Sequence, residues 1–434
     1  MLQKGDKKLI NAWTFYDWAN SVYSLVIGTA IFPIYYESIT EVDGGMVHFL
    51  GMEWHNTTIY SYALGFSFLI VVFLSPILSG VADYTGNKKR FMQFFCWMGS
   101  LSVMMLFFFT GKENVWIGLT FTILASIGFW GSLVFYNAYL PEVAEPEDQD
   151  RVSAKGYMLG YIGSVILLAF NLSMVMKPEI YGITDSTLPA RISFLAVGIW
   201  WIGFAQFTFN KLPNNPFKRK PKKDYIFKGF RELRIVFAEI KKQRELKLLL
   251  ISFFLYSIGV QTIILLASVF GIKDLGLETQ NLIITILLIQ LVGVVGAYLF
   301  SRLSKKIGNI KTLKITILIW AVACIGAYLL HKEDPNITIK FYALGGFIGL
   351  VLGAIQTLSR STYSKLIPEG TENHASYFSF FDVTEKLSIV IGMTMAGIIS
   401  SLTNSLRLFI LILSVFFIAG FIVLSFINKT KYVK

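Results

Sequence analysis

Twelve long apolar stretches fill this chain of 434 residues, and each is long enough to cross a lipid bilayer. A hydrocarbon core of about 30 Å needs about 20 residues of helix. Backbone groups in lipid must find hydrogen bonds within their own segment, and the alternating ten-residue segments of a barrel are not seen. The sequence therefore predicts an all-α integral membrane protein with twelve transmembrane helices. Numbered 1 to 12 in chain order, the predicted spans are residues 11–37, 57–82, 90–110, 114–140, 153–176, 190–211, 247–271, 279–303, 311–331, 338–363, 375–400 and 405–428.

The positive charge of the chain is distributed unevenly between the two sides of these spans. With the N-terminus inside, the cytoplasmic segments hold 31 of the 39 Lys and Arg residues, and the outer segments hold seven. Such an asymmetry is the positive-inside pattern, so both termini are expected in the cytoplasm. The basic residues behind the net charge of +12 are then expected to set the orientation in the membrane and to attract anionic lipids at the cytoplasmic face. No nucleic-acid partner is expected.

One long connection divides the predicted spans into two groups of six. Residues 212–246 are basic and contain proline, between an N-terminal six-helix bundle at 1–211 and a C-terminal bundle at 247–434. Apolar residues recur in this connection at helical spacing and predict an amphipathic helix on the cytoplasmic membrane surface. A solvated linker helix is the alternative. The apolar positions are Ile226, Phe227, Phe230, Leu233, Phe237 and Ile240.

The two groups of spans share short sequence patterns at equivalent points. Residues 85–88 after span 2 resemble residues 307–311 after span 8, and residues 140–142 after span 4 resemble residues 367–369 after span 10. Two similar six-helix halves with a substrate between them are a transporter architecture, in which one half rocks against the other.

Residues 80–90, at the cytoplasmic end of span 2, resemble the loop signature of the major facilitator superfamily. Gly80 lets helices approach closely, Gly86 permits a tight turn, and Asp83 offers a carboxylate to helix N-termini and basic partners. With Arg90, these residues predict a latch that holds one conformation. A topogenic basic turn is the alternative.

The expected latch is asymmetric, because residues 300–308 in the second half lack the Asp. Arg360, at the end of span 10, is assigned to the latch or to snorkelling at the membrane surface rather than to substrate contact.

A polar stripe runs along span 1. Asp17, Asn20, Ser21 and Ser24 lie at positions i, i+3, i+4 and i+7, on one face of the helix. A buried carboxylate in a membrane is costly and is a functional candidate by default. A structural Asp that caps or pairs near the interface is the alternative.

Residues 16–21, which carry this stripe, resemble the signature of the vacuole-effluxer branch of the major facilitator superfamily. That branch includes the autophagy-related vacuolar amino-acid exporters of fungi. Residues 135–141, 356–361 and 380–386 resemble further blocks of the same branch. The resemblance implies the twelve-helix fold, secondary transport, an amino-acid-like substrate and export.

In the superfamily, spans 1, 4, 7 and 10 line the cavity, which implies a set of cavity residues in this chain. For each of them, a hydrogen bond between helices without substrate contact is the alternative. The implied residues are Asn20, Tyr136, Asn137, Gln261 and Gln356.

A lysine lies near the middle of span 11, where it costs roughly 2.5–3.5 kcal/mol on insertion scales. Asp382 is four residues before Lys386 and Glu385 is one residue before it. One interpretation is a local ion pair between Asp382 and Lys386. The other is that Lys386 binds an anionic substrate group or a carboxylate on span 1, in a contact switched by a proton. Glu385 is the favoured proton carrier, with Asp382 and Asp17 as further candidates.

Other function classes fit the sequence poorly. The chain has no phosphate-binding loop of the kind that binds ATP, and its four His residues are scattered, unlike the clusters of membrane enzymes. His48, Glu53 and His55 match no metal-ligand template. We therefore expect no enzyme activity, no cofactor and no metal.

The sequence favours a monomeric secondary transporter of a small polar or amphipathic solute, coupled to protons and working by alternating access. Its compact length favours a bacterial plasma membrane. The alternatives are a sugar, peptide or lipid-like cargo, or a transport-inactive sensor that signals through residues 212–246.

Overall fold

The computed structural model describes residues 3–41, 44–214, 225–403 and 405–428, without the side chains of residues 225 and 226. Among these residues, twelve helices are long and apolar enough to cross a membrane, which confirms the predicted all-α fold. Each one overlaps the predicted span of the same number. Spans 1 to 12 are Lys7–Thr40, Asn56–Thr85, Lys88–Phe108, Lys112–Val143, Gln149–Met176, Leu188–Lys211, Arg244–Lys273, Thr279–Ile307, Asn309–Tyr328, Ile337–Leu366, His374–Thr403 and Arg407–Ser425.

The turn after span 2 forms as its glycine predicts. Gly86 has φ of 73°, in the left-handed region that glycine adopts without steric cost. Its N–H donates to the Asp83 carbonyl at 3.3 Å, and the Asn87 N–H donates to the Ala82 carbonyl at 3.1 Å. This pair of bonds is a Schellman cap, and it leads directly into span 3.

Span 1 is irregular just beyond its polar stripe. An α-helix over Lys7–Val22 is followed by a π-helical segment over Tyr23–Ala30 and by a second α-helix over Ile31–Thr40. The Thr29 hydroxyl donates to the Ser24 carbonyl at 3.0 Å within the widened segment. π-Helical turns are rare and occur frequently at functional sites.

A β-hairpin lies between spans 1 and 2. Strand β1 at Met46–Phe49 pairs in antiparallel register with strand β2 at Met52–His55. Strands of four residues carry little periodicity, so the sequence did not predict this hairpin. His48 and Glu53 contact each other at 3.2 Å across it, but no group of three His, Cys, Asp or Glu residues among the described ones could hold a metal ion.

The spans pack mainly within the first six and within the last six. Span 1 packs on spans 5 and 6, span 3 on spans 4 and 6, and span 2 on span 4. In the second group, span 8 packs on span 10, span 12 on spans 7 and 9, and span 7 on span 11. Spans 2 and 11 meet between the groups, as do spans 5 and 8, and these two contacts are equivalent when the groups are exchanged. We refer to spans 1–6 and spans 7–12 as the first and second half.

A linker helix over Tyr225–Lys242 joins the halves and packs mainly on span 2. Gly229 lies against Gly80, where a side chain on either residue would overlap the other helix. Small residues permit this close approach, which is the role predicted for Gly80. The basic run at residues 218–223 and the side chain of Ile226 lie outside the described residues.

Candidate functional site

Two charged clusters lie between the halves, and both contain residues that the sequence singled out. We name the first the Arg360 cluster and the second the Lys386 cluster. The Arg360 cluster lies toward the side of the protein where spans 2, 4, 8 and 10 end and where spans 5 and 11 begin. The linker helix is on this side, which we call the linker side.

The Arg360 cluster joins span 10 to three spans of the first half. Arg360 Nη1 lies 3.4 Å from Asp17 Oδ2, and the Tyr136 hydroxyl donates to the same oxygen at 2.8 Å. Both charged side chains are almost completely buried, at 2% and 5% exposure. A buried ion pair is tolerated only when further hydrogen bonds satisfy its remaining groups.

The other N–H groups of Arg360 also have partners in the first half. Nε donates to the Ser153 hydroxyl and Nη2 to the Ser153 carbonyl, both at 2.9 Å. Nη1 is 3.3 Å from the amide oxygen of Asn137. The guanidinium also lies 4.1 Å from the centre of the Tyr157 ring, a cation–π contact. Arg360 therefore fastens the second half to the first through one charge and several neutral oxygens.

Local backbone features make room for this cluster. A Cβ atom on Gly156 would overlap the Asp17 carboxylate and lie 3.2 Å from Arg360 Nη2. The α-helix of span 4 is interrupted at Ala138 and Tyr139, and the Trp13 indole donates to the Tyr136 carbonyl at 2.8 Å. The interruption and the glycine let spans 1, 4 and 5 converge on one arginine.

Two further predicted cavity residues lie one turn away from the cluster along their helices. Asn20 is buried, and its amide nitrogen has no hydrogen-bond partner among the described residues. The Gln356 amide oxygen accepts from the Tyr161 hydroxyl, so it links span 10 to span 5. Asn20 thus has a free donor, whereas the oxygen of Gln356 is already in use.

The Lys386 cluster lies in span 11. Lys386 Nζ lies 3.0 Å from Asp382 Oδ1 and 2.6 Å from Glu385 Oε2, and its side chain is 0% exposed. The ammonium also lies 3.5 Å from the centre of the Trp130 ring on span 4. A desolvated cation gains from such a contact with an aromatic face.

Each carboxylate of the Lys386 cluster also contacts another span. The Ser75 hydroxyl of span 2 donates to Asp382 Oδ2 at 3.2 Å, and the Gln261 amide of span 7 donates to Glu385 Oε1 at 2.7 Å. The side chain of Glu385 is 20% exposed, against 7% for Asp382. The cluster therefore touches both halves, and Glu385 is its most accessible carboxylate.

The predicted charged residues form two separate groups in the structure, and Lys386 does not pair with the carboxylate of span 1. The carboxylate of span 1, Asp17, pairs with Arg360, whereas Lys386 pairs with the two acids of its own span. Arg360 is buried at the interface of the halves and does not snorkel. Ser153, Tyr157 and Trp130 also belong to the clusters, but the pattern of a single helix gives no signal for them, and they were not predicted. The predicted residues that lie in the two clusters are Asp17, Tyr136, Asn137, Arg360, Gln261, Asp382, Glu385 and Lys386.

Asp83 connects the end of span 2 to the beginning of span 11. Its carboxylate accepts hydrogen bonds from the backbone N–H groups of Ala375 at 3.1 Å and Ser376 at 2.6 Å. A helix N-terminus favours a negative charge, because its first N–H groups have no partner within the helix. This is the kind of contact that the sequence predicted for Asp83, and it bridges the halves.

A second group of charges surrounds this contact. Lys88 forms an ion pair with Glu142, whose carboxylate also lies 2.8 Å from His374 Nδ1. Arg90, the basic residue that we assigned to the latch, is exposed and lines a groove between spans 2 and 3. The buried cation of the signature is therefore Lys88 rather than Arg90.

The equivalent contact between spans 8 and 5 has its acid on the opposite helix. Asp150, in the first turn of span 5, accepts from the Ser304 hydroxyl and the Asn309 amide, each at 2.8 Å. Lys365 lies 2.8 Å from the same carboxylate. Residues 300–308 lack an Asp, and in this structure span 5 supplies one instead. A search for acids in the first turn of span 5 would have found it.

Similar proteins cover nearly the whole chain. The family described as vacuole effluxer Atg22 like matches residues 5–434. The "Uncharacterized MFS-type transporter YxiO" of Bacillus subtilis is 30% identical over 429 residues, which are 99% of this chain and 96% of that protein. Autophagy-related protein 22 of Yarrowia lipolytica is 26% identical over 447 residues, covering 83% of this chain and 74% of that protein.

Solved structures show the same fold at low sequence identity. The proton:xylose symporter XylE matches with a TM-score of 0.69 and 14% identity, over 98% of this chain and 97% of that one. The fucose:proton symporter FucP of E. coli matches with a TM-score of 0.68 and 14% identity, over 98% of both chains. The chain is a multi-pass transporter of the major facilitator superfamily rather than an enzyme, and it belongs to the vacuole effluxer Atg22-like family.

Proposed function

We propose that this protein is a secondary active transporter that moves a small polar or amphipathic solute by alternating access, driven by protons. The single observation that carries the proposal is the Lys386 cluster. It places one cation and two carboxylates between the halves, with Glu385 partly exposed. Intramembrane ionisable residues in contact with several helices mark substrate and proton pathways in transporters.

The charge balance of the cluster supports proton coupling. With both acids ionised, the cluster has one positive and two negative charges, so it accepts one proton without losing its remaining ion pair. Protonation of Glu385 removes its charge from Lys386 and alters its bond with Gln261 on span 7, while Asp382 keeps its contacts with Lys386 and Ser75. A proton would therefore change the contacts between spans 7 and 11, and Glu385 would carry it.

An amino-acid-like solute is the favoured cargo. A free amino acid carries a carboxylate and an ammonium, and spans 1 and 11 offer one group for each. The unpartnered amide nitrogen of Asn20 is a donor for a carboxylate, and the accessible carboxylate of Glu385 is an acceptor for an ammonium. The resemblance to vacuolar amino-acid exporters supports the same class, with export as the expected direction.

The proposed setting is the bacterial plasma membrane, with the linker side and both termini in the cytoplasm. The positive-inside distribution supports this orientation. A monomer is proposed as the working unit, because each half already finds its partner within the same chain.

The test begins with a thermal-shift screen of the purified protein against amino acids, dipeptides, sugars, nucleosides and organic anions at acidic and neutral pH. The solute that binds is then used in proteoliposomes, with uptake driven by a proton gradient and with solute counterflow measured separately. We expect Glu385→Gln to abolish driven uptake and to leave counterflow largely intact.

Glu278→Gln, at an exposed acid at the start of span 8, is the matched control and should transport normally. Normal driven uptake by Glu385→Gln would remove Glu385 from the coupling role. If the unmodified protein binds a solute but shows neither driven uptake nor counterflow, the proposed transport would be wrong, and a ligand sensor would be the better interpretation.

A further inference from the structure

The linker helix exposes an aromatic and basic stripe. Phe227, Phe230, Arg234, Phe237 and Lys241 follow one another at intervals of three and four residues, which places them on one face. All five are exposed, and Phe227 is 80% exposed. The Lys241 ammonium lies 4.4 Å from the centre of the Phe237 ring. We call these five residues the aromatic stripe.

A different face of the same helix packs on the protein. Gly229, Val236 and Ile240 are buried, and Gly229 meets span 2 at Val81. The protein therefore covers only part of the apolar surface that the sequence predicted for this helix. Three phenylalanines are left outside the core, and an exposed apolar surface of this kind marks an interaction site.

Contacts with span 11 show in which direction the aromatic stripe points. Phe237 stacks on Phe380 with ring centres 5.6 Å apart. Glu239 and Glu232 accept from Tyr377 and Asn373, at 2.6 Å and 3.1 Å. Phe380 lies deeper along span 11 than either Tyr377 or Asn373, so the phenylalanine side of the linker helix faces the membrane interior. The glutamate side faces the end of the span.

We propose that the aromatic stripe seats the linker helix in the surface of a bilayer rich in anionic phospholipid. The three phenylalanines match the acyl boundary. Arg234 lies between Phe230 and Phe237 in sequence and Lys241 follows Phe237 by four residues, so the long side chains of both cations can reach phosphate groups. A second exposed stripe with Arg231, Ile235 and Lys242 lies on the opposite flank of the exposed surface, about a quarter turn around the helix from the aromatic stripe. On this proposal it faces away from the bilayer.

The same helix fastens the two halves to each other on the linker side. It meets span 2 of the first half through Gly229, and it meets span 11 of the second half through Glu232, Phe237 and Glu239. On the alternating access of the proposed function, opening of the linker side separates spans 2 and 11. A lipid that binds the helix only while it bridges both spans would stabilise the closed state, since a ligand shifts an equilibrium toward the state it prefers.

The test uses the full chain in lipid nanodiscs of phosphatidylcholine, with or without phosphatidylglycerol. Both native cysteines are buried, so a single introduced cysteine can carry an environment-sensitive dye. We compare Phe230→Cys on the aromatic stripe with Ile235→Cys on the opposite flank. The dye at position 230 should show blue-shifted emission and quenching by nitroxide-labelled lipid, both stronger with phosphatidylglycerol. The dye at position 235 should show neither.

Variants that remove charges distinguish binding to anionic lipid from burial in any apolar surface. Arg234→Gln with Lys241→Gln, added to the Phe230→Cys protein, should lose the response to phosphatidylglycerol. Arg231→Gln with Lys242→Gln removes the same charge from the opposite flank and should keep it.

Equal quenching at the two positions, or equal effects of the two charge pairs, would overturn the proposal. A dye response that depends on the number of protein copies per disc would assign the stripe to a second copy instead. These outcomes do not depend on transport, so they are distinguishable from a failure of the proposed function.

Discussion

The Arg360 cluster and the Lys386 cluster each bury a cation between the halves, but they balance its charge differently. Arg360 has one carboxylate partner, Asp17, and neutral oxygens complete its hydrogen bonds. Lys386 has two carboxylate partners, and one of them, Glu385, is partly exposed. With all acids counted as ionised, the Arg360 cluster is neutral and almost completely buried, whereas the Lys386 cluster has one excess negative charge and a partly exposed carboxylate.

This difference assigns the two clusters different roles. Asp17 is the one carboxylate that pairs with Arg360, so losing this contact would leave the buried guanidinium without a counter-charge, which is strongly unfavourable. A proton on Glu385 still leaves Lys386 paired with Asp382. On the proposed function, the Arg360 cluster would hold the linker side closed, and the Lys386 cluster would take up the coupled proton.

The largest expected effect comes from removing the cation of the Lys386 cluster. Lys386→Ala leaves two carboxylates facing each other without a counter-charge, and breaking a buried ion pair in this way costs about 3–5 kcal/mol. We expect a large fall in the unfolding temperature of the purified protein, measured in detergent by differential scanning fluorimetry.

The double variant Asp382→Ala with Lys386→Ala sharpens the result, because Glu385 remains as the only acid of the cluster. We expect recovery of the unfolding temperature without recovery of driven transport. Full recovery of transport would show that the pair is only structural and would remove the distinction between the two clusters.

The next effect concerns the geometry of the Arg360 cluster. Arg360→Lys keeps the charge but loses the planar fork that bonds Ser153 twice, and hydrogen bonds to charged groups are worth about 1.5–3 kcal/mol each. We expect a larger population open on the linker side. Spin labels at Glu147 and Lys306, exposed in opposite halves, measure this by pulsed electron resonance. Arg302→Lys, at an exposed arginine, should leave the distances unchanged.

A smaller effect is expected where the linker helix crosses span 2. Gly80→Ala places a Cβ atom against the Gly229 carbonyl, and overpacking of this kind costs about 1–3 kcal/mol. Hydrogen exchange of residues 229–242 should become faster, while the Arg360 cluster keeps its contacts. Gly65→Ala is the matched control in the same span, because a Cβ atom there meets nothing within 4 Å.

If the amides of residues 229–242 exchange equally fast in both glycine variants, the linker helix contributes nothing to closure. The Arg360 cluster then holds the linker side closed without it. If Gly80→Ala alone opens the linker side as much as Arg360→Lys, the closed state depends on the helix as well as on the cluster.

Much of the fold could be predicted from the sequence, because lipid imposes a simple constraint. Each span must satisfy its own backbone hydrogen bonds, so length and hydropathy are enough to find it. The contact between Asp382 and Lys386 was also foreseeable, since positions i and i+4 share a helix face.

The pairing of the remaining charges was not visible in single helices. Asp17 and Arg360 are separated by 343 positions, and only the packing of spans 1, 5 and 10 brings them together. Asp150 was missed for a related reason. The expected repeat of the latch was sought on span 8, where it has no acid, and the packed structure supplies the acid from span 5.

The smallest expected effect belongs to an exposed carboxylate that caps a turn before span 6. Asp185 accepts from the N–H and the hydroxyl of Thr187, both at 2.8 Å, and these bonds, with a lesser contribution from Arg191, lower the pKa of its carboxyl. A lowered pKa in the folded state means that the stabilisation is present above the unfolded value of about 3.9 and is lost as the pH falls through the folded value.

We therefore expect Asp185→Asn to lower the unfolding temperature slightly at neutral pH, with the difference from the unmodified protein vanishing in acid. Thermal unfolding as a function of pH measures it. The side chain of Asp185 is exposed, so solvent screens its charge, and the fall in unfolding temperature should be far smaller than that of Lys386→Ala. If Asp185→Asn lowered the unfolding temperature as much as Lys386→Ala, burial would not determine how strongly a charge stabilises this protein. The contrast between the two clusters would then lose its physical basis.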